Sequence, residues 1–107
     1  MRFSRSAMLV VGAIALLTAA VRFASAQDVP VLYKSRCQVC HGAEGKGDGP
    51  AGKTVNAPDF HSPAVVKTPD SDLFQIIKQG KNKMPSFEGK LTDGQIKQLV
   101  VYIRSLK

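Results

Sequence analysis

The chain contains no tryptophan and only two cysteines in 107 residues. A scaffold of several disulfides is therefore excluded, and a small domain must draw its stability from elsewhere. The two thiols, Cys37 and Cys40, stand only three positions apart, too close for a cross-link that closes a useful loop. Convincing runs of alternating apolar and polar residues are also missing, which argues against a sheet. Internal repeats are absent. No apolar run reaches the roughly 20 residues that a bilayer-spanning helix needs.

The apolar run that does occur lies at the start. Arg2 and Arg5 precede apolar residues 7–20, Arg22 closes them, and Ala24-Ser25-Ala26 forms a small-x-small cleavage site before Gln27. Residues 1–26 therefore read as a cleaved secretory signal peptide, with an uncleaved N-terminal anchor as the alternative. No cysteine follows the run closely enough for a lipid anchor. Residues 27–107 are expected to form one domain, placed in the bacterial periplasm without stable membrane insertion.

Charge limits the partners. The formal net charge is +7, and three arginines belong to the leader. The remaining twelve Lys and Arg against eight Asp and Glu leave +4. So small an excess on an exported chain gives nucleic-acid binding little support. Lys78, Lys81 and Lys83 nevertheless cluster in sequence, with Lys46, Lys53 and Lys90 as further candidates. Such a ring would steer an acidic protein partner, and scattered surface lysines are the plain alternative.

Three helices and long loops are expected, an all-α fold. The first begins near Asp28 or Val29 and runs through Leu32 and Tyr33 towards the cysteines. For the second, Thr68 is placed to cap, Pro69 to occupy the first position, and Gly80 to end it. Asp70, Asp72 and Lys78 suit its dipole. Leu73, Phe74, Ile76 and Ile77 give it an apolar face. The third helix opens on a capping box, Thr92 with Gln95, and a staple of Leu91 onto Ile96. Ile96, Leu99, Val100 and Ile103 then recur at helical spacing, widened by Tyr102 and Leu106. Residues 42–67, rich in glycine and proline, read as loop.

Chemistry concentrates in Cys37-Gln38-Val39-Cys40-His41. Cys-x-x-Cys-His is the attachment signature of a c-type haem. On a helix both thiols and the imidazole share a face, so the thiols can form thioethers to the porphyrin vinyl groups while His41 ligates iron. Zinc would need further donors and a less awkward pair than adjacent Cys40 and His41. A thioredoxin-like site would need a βαβ framework. A covalently held apolar cofactor would also enlarge the core of a domain this short, since such domains often lean on one.

The opposite iron face has two candidates. Met84 is the only methionine after the leader and stands in a loop before Pro85. Methionine is also a common core gap-filler. His61, in Phe60-His61-Ser62-Pro63, is the competitor, and His/His coordination would lower the potential relative to Met/His. Residues 47–54, Gly-Asp-Gly-Pro-Ala-Gly-Lys-Thr, meet the spacing of a phosphate-binding P-loop. That motif needs a preceding strand and a following helix, and neither is expected here. Its glycines more plainly serve tight turns near a haem edge.

These residues resemble the class I c-type cytochromes, single-haem electron carriers, and the likeness covers residues 29–107. It is carried by Tyr33, residues 37–42, Gly47-Asp48-Gly49-Pro50, Pro58-Asp59-Phe60, residues 80–87 around Met84-Pro85-Ser86-Phe87, and residues 99–103. The last two are similar to algal and bacterial photosynthetic-type carriers. The resemblance implies a cytochrome c fold around one haem c, with Cys37 and Cys40 as thioether sites and His41 and Met84 as the iron ligands. It also implies crossed terminal helices and a Pro58 carbonyl that holds the other nitrogen of His41. Two departures stand out. Val29 replaces a glycine common where the terminal helices touch, and without Trp any propionate contacts must come from other donors. The implied function is a monomeric, non-enzymatic electron carrier between redox proteins. A cytochrome subunit of a periplasmic dehydrogenase or oxidase is the alternative, and a haem catalyst or gas sensor with Met84 displaced is a third.

Overall fold

The computed structural model describes residues 28–107, so the expected leader, residues 1–26, lies outside the described residues. Among the described residues six helices follow in order: α1 Val29–Arg36, α2 Gln38–His41, α3 Gly52–Val55, α4 Pro63–Lys67, α5 Asp70–Gln79 and α6 Asp93–Ser105. Among the described residues only two isolated bridges, Lys81 with Met84 and Glu88 with Leu91, have β character. The all-α expectation holds.

Helix α6 is the spine. Thr92 Oγ1 accepts from the Gln95 amide at 3.1 Å, and Gln95 Oε1 accepts from the Thr92 amide at 2.9 Å. This reciprocal cap satisfies two donors that a helix start leaves unpaired. Ile96, Leu99, Val100 and Ile103 form its buried face. Around them Tyr33, Cys37, Ile77, Phe87 and Leu91 complete the core. Thr92→Ala should cost about 1 kcal/mol, read as a lower urea midpoint with unchanged slope.

Helices α1 and α5 both pack on α6. Tyr33 makes the α1–α6 contact, its ring centroid 5.1 Å from that of Tyr102. Val29 is only partly buried against the core. The contact thus falls one helical turn beyond the position where a glycine is common. Arg104 ties α6 to the preceding connection. Its guanidinium donates to Asp70 Oδ1 at 3.0 Å, to the Val65 carbonyl at 2.9 Å, and to the Thr68 carbonyl.

The expectations for residues 42–67, Thr68 and Pro69 need correction. Residues 42–67 are not loop throughout, because α3 and α4 lie within them. Pro63 starts α4, its fixed φ suiting the first turn. Thr68 does not cap α5; its hydroxyl donates to the Ala64 carbonyl at 2.8 Å and closes α4. Pro69 is accordingly the residue before α5 rather than its first. The first helix runs towards the cysteines as expected and stops at the first of them. At Cys37 the backbone leaves helical geometry (φ −120°) before α2 begins.

Candidate functional site

The segment from Cys37 to His41 is held by hydrogen bonds to its own backbone. Its amides look back: Cys37 N donates to the Tyr33 carbonyl at 2.8 Å and His41 N to the Cys37 carbonyl at 3.0 Å. Its carbonyls, which a four-residue helix cannot satisfy itself, are taken by the glycine-rich loop. Ala51 N donates to Val39 O at 2.9 Å, Gly49 N to Cys40 O at 3.2 Å and Gly47 N to His41 O at 2.9 Å. The Tyr33 hydroxyl donates to Gly42 O at 2.6 Å. Tyr33 therefore grips the segment at both ends.

Close approach explains the glycines in that loop. A Cβ on Gly49 would come 2.5 Å from the Val39 carbonyl, and one on Gly52 would come 2.6 Å from the Cys40 carbonyl. Backbone atoms stand in the way in both cases, so no side-chain rotation could relieve the clash. Glycine is required by what it faces as well as by how it turns.

The donors themselves are a matched set. Cys37 is buried, Cys40 is half-buried, and neither is in a disulfide. Burial, with a smaller contribution from Cys40, pushes the Cys37 thiol up to about 11, so it stays protonated at neutral pH. His41 is half-buried, and burial lowers its pKa below the ordinary 6.5. A neutral imidazole is the ligating form. Phe60 stacks on it at 4.6 Å between centroids, 26° between planes.

His41 Nδ1 is buried without a hydrogen-bond partner. The bond to the Pro58 carbonyl that the resemblance implied is therefore not formed. The Pro58 carbonyl instead lies against Gly47, where an added Cβ would come within 3.0 Å of it. Histidines that serve structure alone normally satisfy their buried nitrogens. His41 does not.

Met84 lies in a tight turn between α5 and α6. Lys81 N and Met84 O, and Met84 N and Lys81 O, pair at 3.2 and 2.9 Å, with Asn82 left-handed at φ 54°. Phe87 N and Glu88 N then donate to the Ile77 and Lys78 carbonyls, fastening the loop to the end of α5. Lys83 Nζ reaches the Thr54 carbonyl at 3.1 Å, joining the loop to α3 and so to the wiring of residues 37–41. The Met84 side chain is half-buried and packs against the core together with Phe60, Leu73 and Phe74.

His61 belongs to a different arrangement. Its Nδ1 lies 2.7 Å from Asp59 Oδ1 and its Nε2 3.1 Å from the Leu106 carbonyl. With both nitrogens engaged, its candidacy as an iron ligand weakens. Among the described residues no group of three or more His, Cys, Asp and Glu side chains is arranged to hold a bare metal ion.

The lysine ring is partly spent. Lys46 pairs with Glu44 at 3.0 Å and Lys78 with Asp93 at 3.1 Å. Lys53, Lys81, Lys83 and Lys90 have no carboxylate of the described residues within ion-pair distance. The Gly42 contact of Tyr33 and the wiring of residues 39–41 through residues 47–51 were not foreseen from sequence. Their only signal is a Tyr four before the first cysteine and glycines at fixed offsets after the second.

Two free thiols and an unpaired buried imidazole within five residues, with a methionine loop tied to the same scaffold through Lys83, define a haem-attaching domain. Residues 24–103 match the family described as cytochrome c oxidase, cbb3-type, subunit III, and the chain belongs to the class I c-type cytochromes, with covalent haem c and its iron as cofactor. It is 32% identical to cytochrome c-555 of Methylococcus capsulatus, over 96% of this chain and 80% of that one. To cytochrome c6 of Thermosynechococcus vestitus it is also 32% identical, over 85% and 81%. The solved c-type cytochrome KustC0563 superposes with a TM-score of 0.68 at 31% identity, covering 76% of this chain and 99% of that one. The residues present fit the cofactor. Two unpaired thiols, an imidazole with an orphaned buried nitrogen, and half-buried apolar Phe60, Leu73 and Phe74 are what a covalently held apolar macrocycle requires.

Proposed function

We propose that this chain is an exported, monomeric carrier of single electrons, with His41 and Met84 as the two axial ligands of its iron. Cys37 and Cys40 are the thioether sites, Met84 approaches from its own loop, and residues 27–107 form the working domain once residues 1–26 are removed. The unpaired, neutral imidazole of His41 beside the two free thiols is the observation that carries this reading. When bound, the haem supplies the one-electron iron couple. The protein side of the function is to hold geometry constant. Tyr33 and the amides of Gly47, Gly49 and Ala51 fix the segment that bears His41. The Lys81–Met84 turn and Lys83 fix the opposing loop. Two rigidly held ligands keep reorganisation small when the oxidation state changes, and Met/His ligation favours transfer over activation of small molecules. No catalytic residue is assigned.

The deciding experiment is optical. The oxidised protein should show a near-infrared sulfur-to-iron charge-transfer band, and the reduced protein should bind carbon monoxide slowly. Fast carbon monoxide binding would instead place the chain among haem catalysts or gas sensors.

Docking is proposed to use the lysines left without carboxylate partners, Lys53, Lys81, Lys83 and Lys90, towards an acidic face on the redox partner. The interface would be small and short-lived. Transfer rates to such a partner should fall as salt rises, because steering is screened beyond about 10 Å at 0.1 M salt. A rate indifferent to salt would remove this part of the proposal.

A second reading draws on one comparison. The cbb3-type cytochrome c oxidase subunit FixP of Bradyrhizobium diazoefficiens is 32% identical over 70% of this chain, which spans 25% of that subunit. The same domain could thus serve as the electron-accepting part of a periplasmic dehydrogenase or oxidase. Stable co-purification with a large partner would favour that role over a free shuttle.

A further inference from the structure

His61 is bound three ways. Its backbone amide donates to Asp59 Oδ1 at 2.8 Å, its Nδ1 meets the same oxygen at 2.7 Å, and its Nε2 meets the Leu106 carbonyl at 3.1 Å. A carboxylate and a carbonyl only accept hydrogen bonds, so both ring nitrogens must donate. Only the imidazolium has two N–H groups. The geometry therefore belongs to the protonated ring.

This contact spans 45 residues and joins the turn after α6 to the loop before α4. The residue between Asp59 and His61 is Phe60, whose ring stacks on His41. Leu106 also bears on that ring's surroundings: a Cβ added at Gly45 would meet both Phe60 and Leu106 side chains. Phe60 N donates to the Gly45 carbonyl at 2.8 Å. Phe60, His61, Val66, Ile103, Arg104 and Leu106 surround a cavity of about 210 Å³. Leu106 thus lies beside Phe60; its amide donates to the Ile103 carbonyl at 3.3 Å, and its carbonyl is held by His61.

We propose that His61 is a positioning residue and a pH-sensitive clasp, which as imidazolium pins Leu106 beside Phe60 and so steadies the ring stacked on His41. On losing a proton the ring can donate through one nitrogen only. The charged Asp59 keeps that bond, and the Leu106 carbonyl is released. Phe60 then loses that support, the imidazole of His41 becomes freer, and a positive charge near the site disappears. Both changes bear on the iron couple, and loss of positive charge lowers its potential.

The surrounding charges set the direction. Asp59 is the main stabiliser of the cation and Leu106 the second, and together they raise the His61 pKa above 6.5. Lys46, paired with Glu44, opposes them weakly. Arg104, from α6, lines the same cavity, but its guanidinium is committed to Asp70 and two carbonyls. From α4 the facing residue is the uncharged Val66. Asp59 itself is held below the ordinary carboxylate range by its bonds from His61, so it stays ionised throughout. Because the folded pKa is raised, the clasp is closed below pH 6.5 and opens as pH climbs through the higher folded value.

The test uses the reduced, haem-loaded protein. The ring nitrogens of His61, the ring protons of Phe60 and the methyls of Leu106 are followed by NMR against pH, in parallel with the reduction potential. Expected is one shared midpoint above 6.5 for all three residues, with a downward step in potential over the same range. In His61→Gln the Phe60 and Leu106 movements and the potential step should vanish. In Asp59→Asn the shared midpoint should move down, which keeps the test decisive if the His61 variant folds poorly. Phe60 and Leu106 signals that stay still while His61 titrates would overturn the clasp. A potential step of equal size in His61→Gln would overturn its hold on the iron couple. The potential arm rests on His41 as an iron ligand, whereas the resonance arm does not. A wrong ligand assignment would appear separately, in the optical spectrum.

Discussion

Replacing Met84 by alanine should abolish the sulfur-to-iron charge-transfer band of the oxidised protein and open the reduced protein to rapid carbon monoxide binding. The expectation is sharp because the loop should survive the change. Its turn is closed by backbone bonds between Lys81 and Met84, which a side-chain truncation leaves intact. Ser86 Oγ still holds the Lys78 carbonyl at 2.7 Å, and Lys83 still reaches Thr54. Stability should fall by about 1–3 kcal/mol, less than for a fully buried methionine, since Met84 is only half-buried. The potential should drop with the loss of the thioether. Met84 is the only methionine of the described residues, so no second methionine among them can take its place. An unchanged band would mean that Met84 is core packing.

Tyr33 offers the second large effect, and two substitutions separate its two roles. Its ring is 1% exposed and packs on Tyr102; its hydroxyl grips Gly42 O. Tyr33→Phe keeps the ring and deletes one buried hydrogen bond, at a cost of about 1–2 kcal/mol. Gly42 O retains the Gly45 amide at 3.2 Å, which keeps the loss near the lower end. Tyr33→Ala removes the ring as well, at about 3–5 kcal/mol. A domain this small has only about 5–15 kcal/mol in all. The alanine variant should therefore lose about a third or more of a typical domain's stability, and the phenylalanine variant much less. Urea midpoints of the two settle the matter, and a phenylalanine variant as stable as the parent would reduce Tyr33 to packing. Burial holds the phenol well above its usual pKa of 10, so it remains a donor across the physiological range.

Features confined to a few neighbouring residues could be read from the sequence. The Thr92–Gln95 cap needs only atoms within one turn, and the α6 stripe needs only periodicity. Cys-x-x-Cys-His named the cofactor because its spacing is its chemistry. Thr68 was misread for an instructive reason: the same hydroxyl can start α5 or close α4, and the choice depends on where Ala64 lies. Helices α3 and α4, four and five residues long, are too short to show a helical period. His61 could be seen only as a loop histidine, because its partner at Leu106 is 45 residues away. The proposed ligands were visible as residue types. The scaffolding that aims them, Tyr33 to Gly42 and Gly47, Gly49 and Ala51 to residues 39–41, depends on tertiary approach.

That scaffolding also disposes of the nucleotide-loop pattern in residues 47–54. A phosphate cradle works by leaving a row of amides unspoken for, all aimed at one anion. Here the amides of Gly47, Gly49 and Ala51 are each already taken by a carbonyl of the attachment helix, and that of Gly52 by Gly49 O at 2.8 Å. The spelling matches, but these four donors are occupied. The same run of glycines that elsewhere waits for a guest has here turned four of its amides upon its own chain, and an anion offered to it would find those hands full.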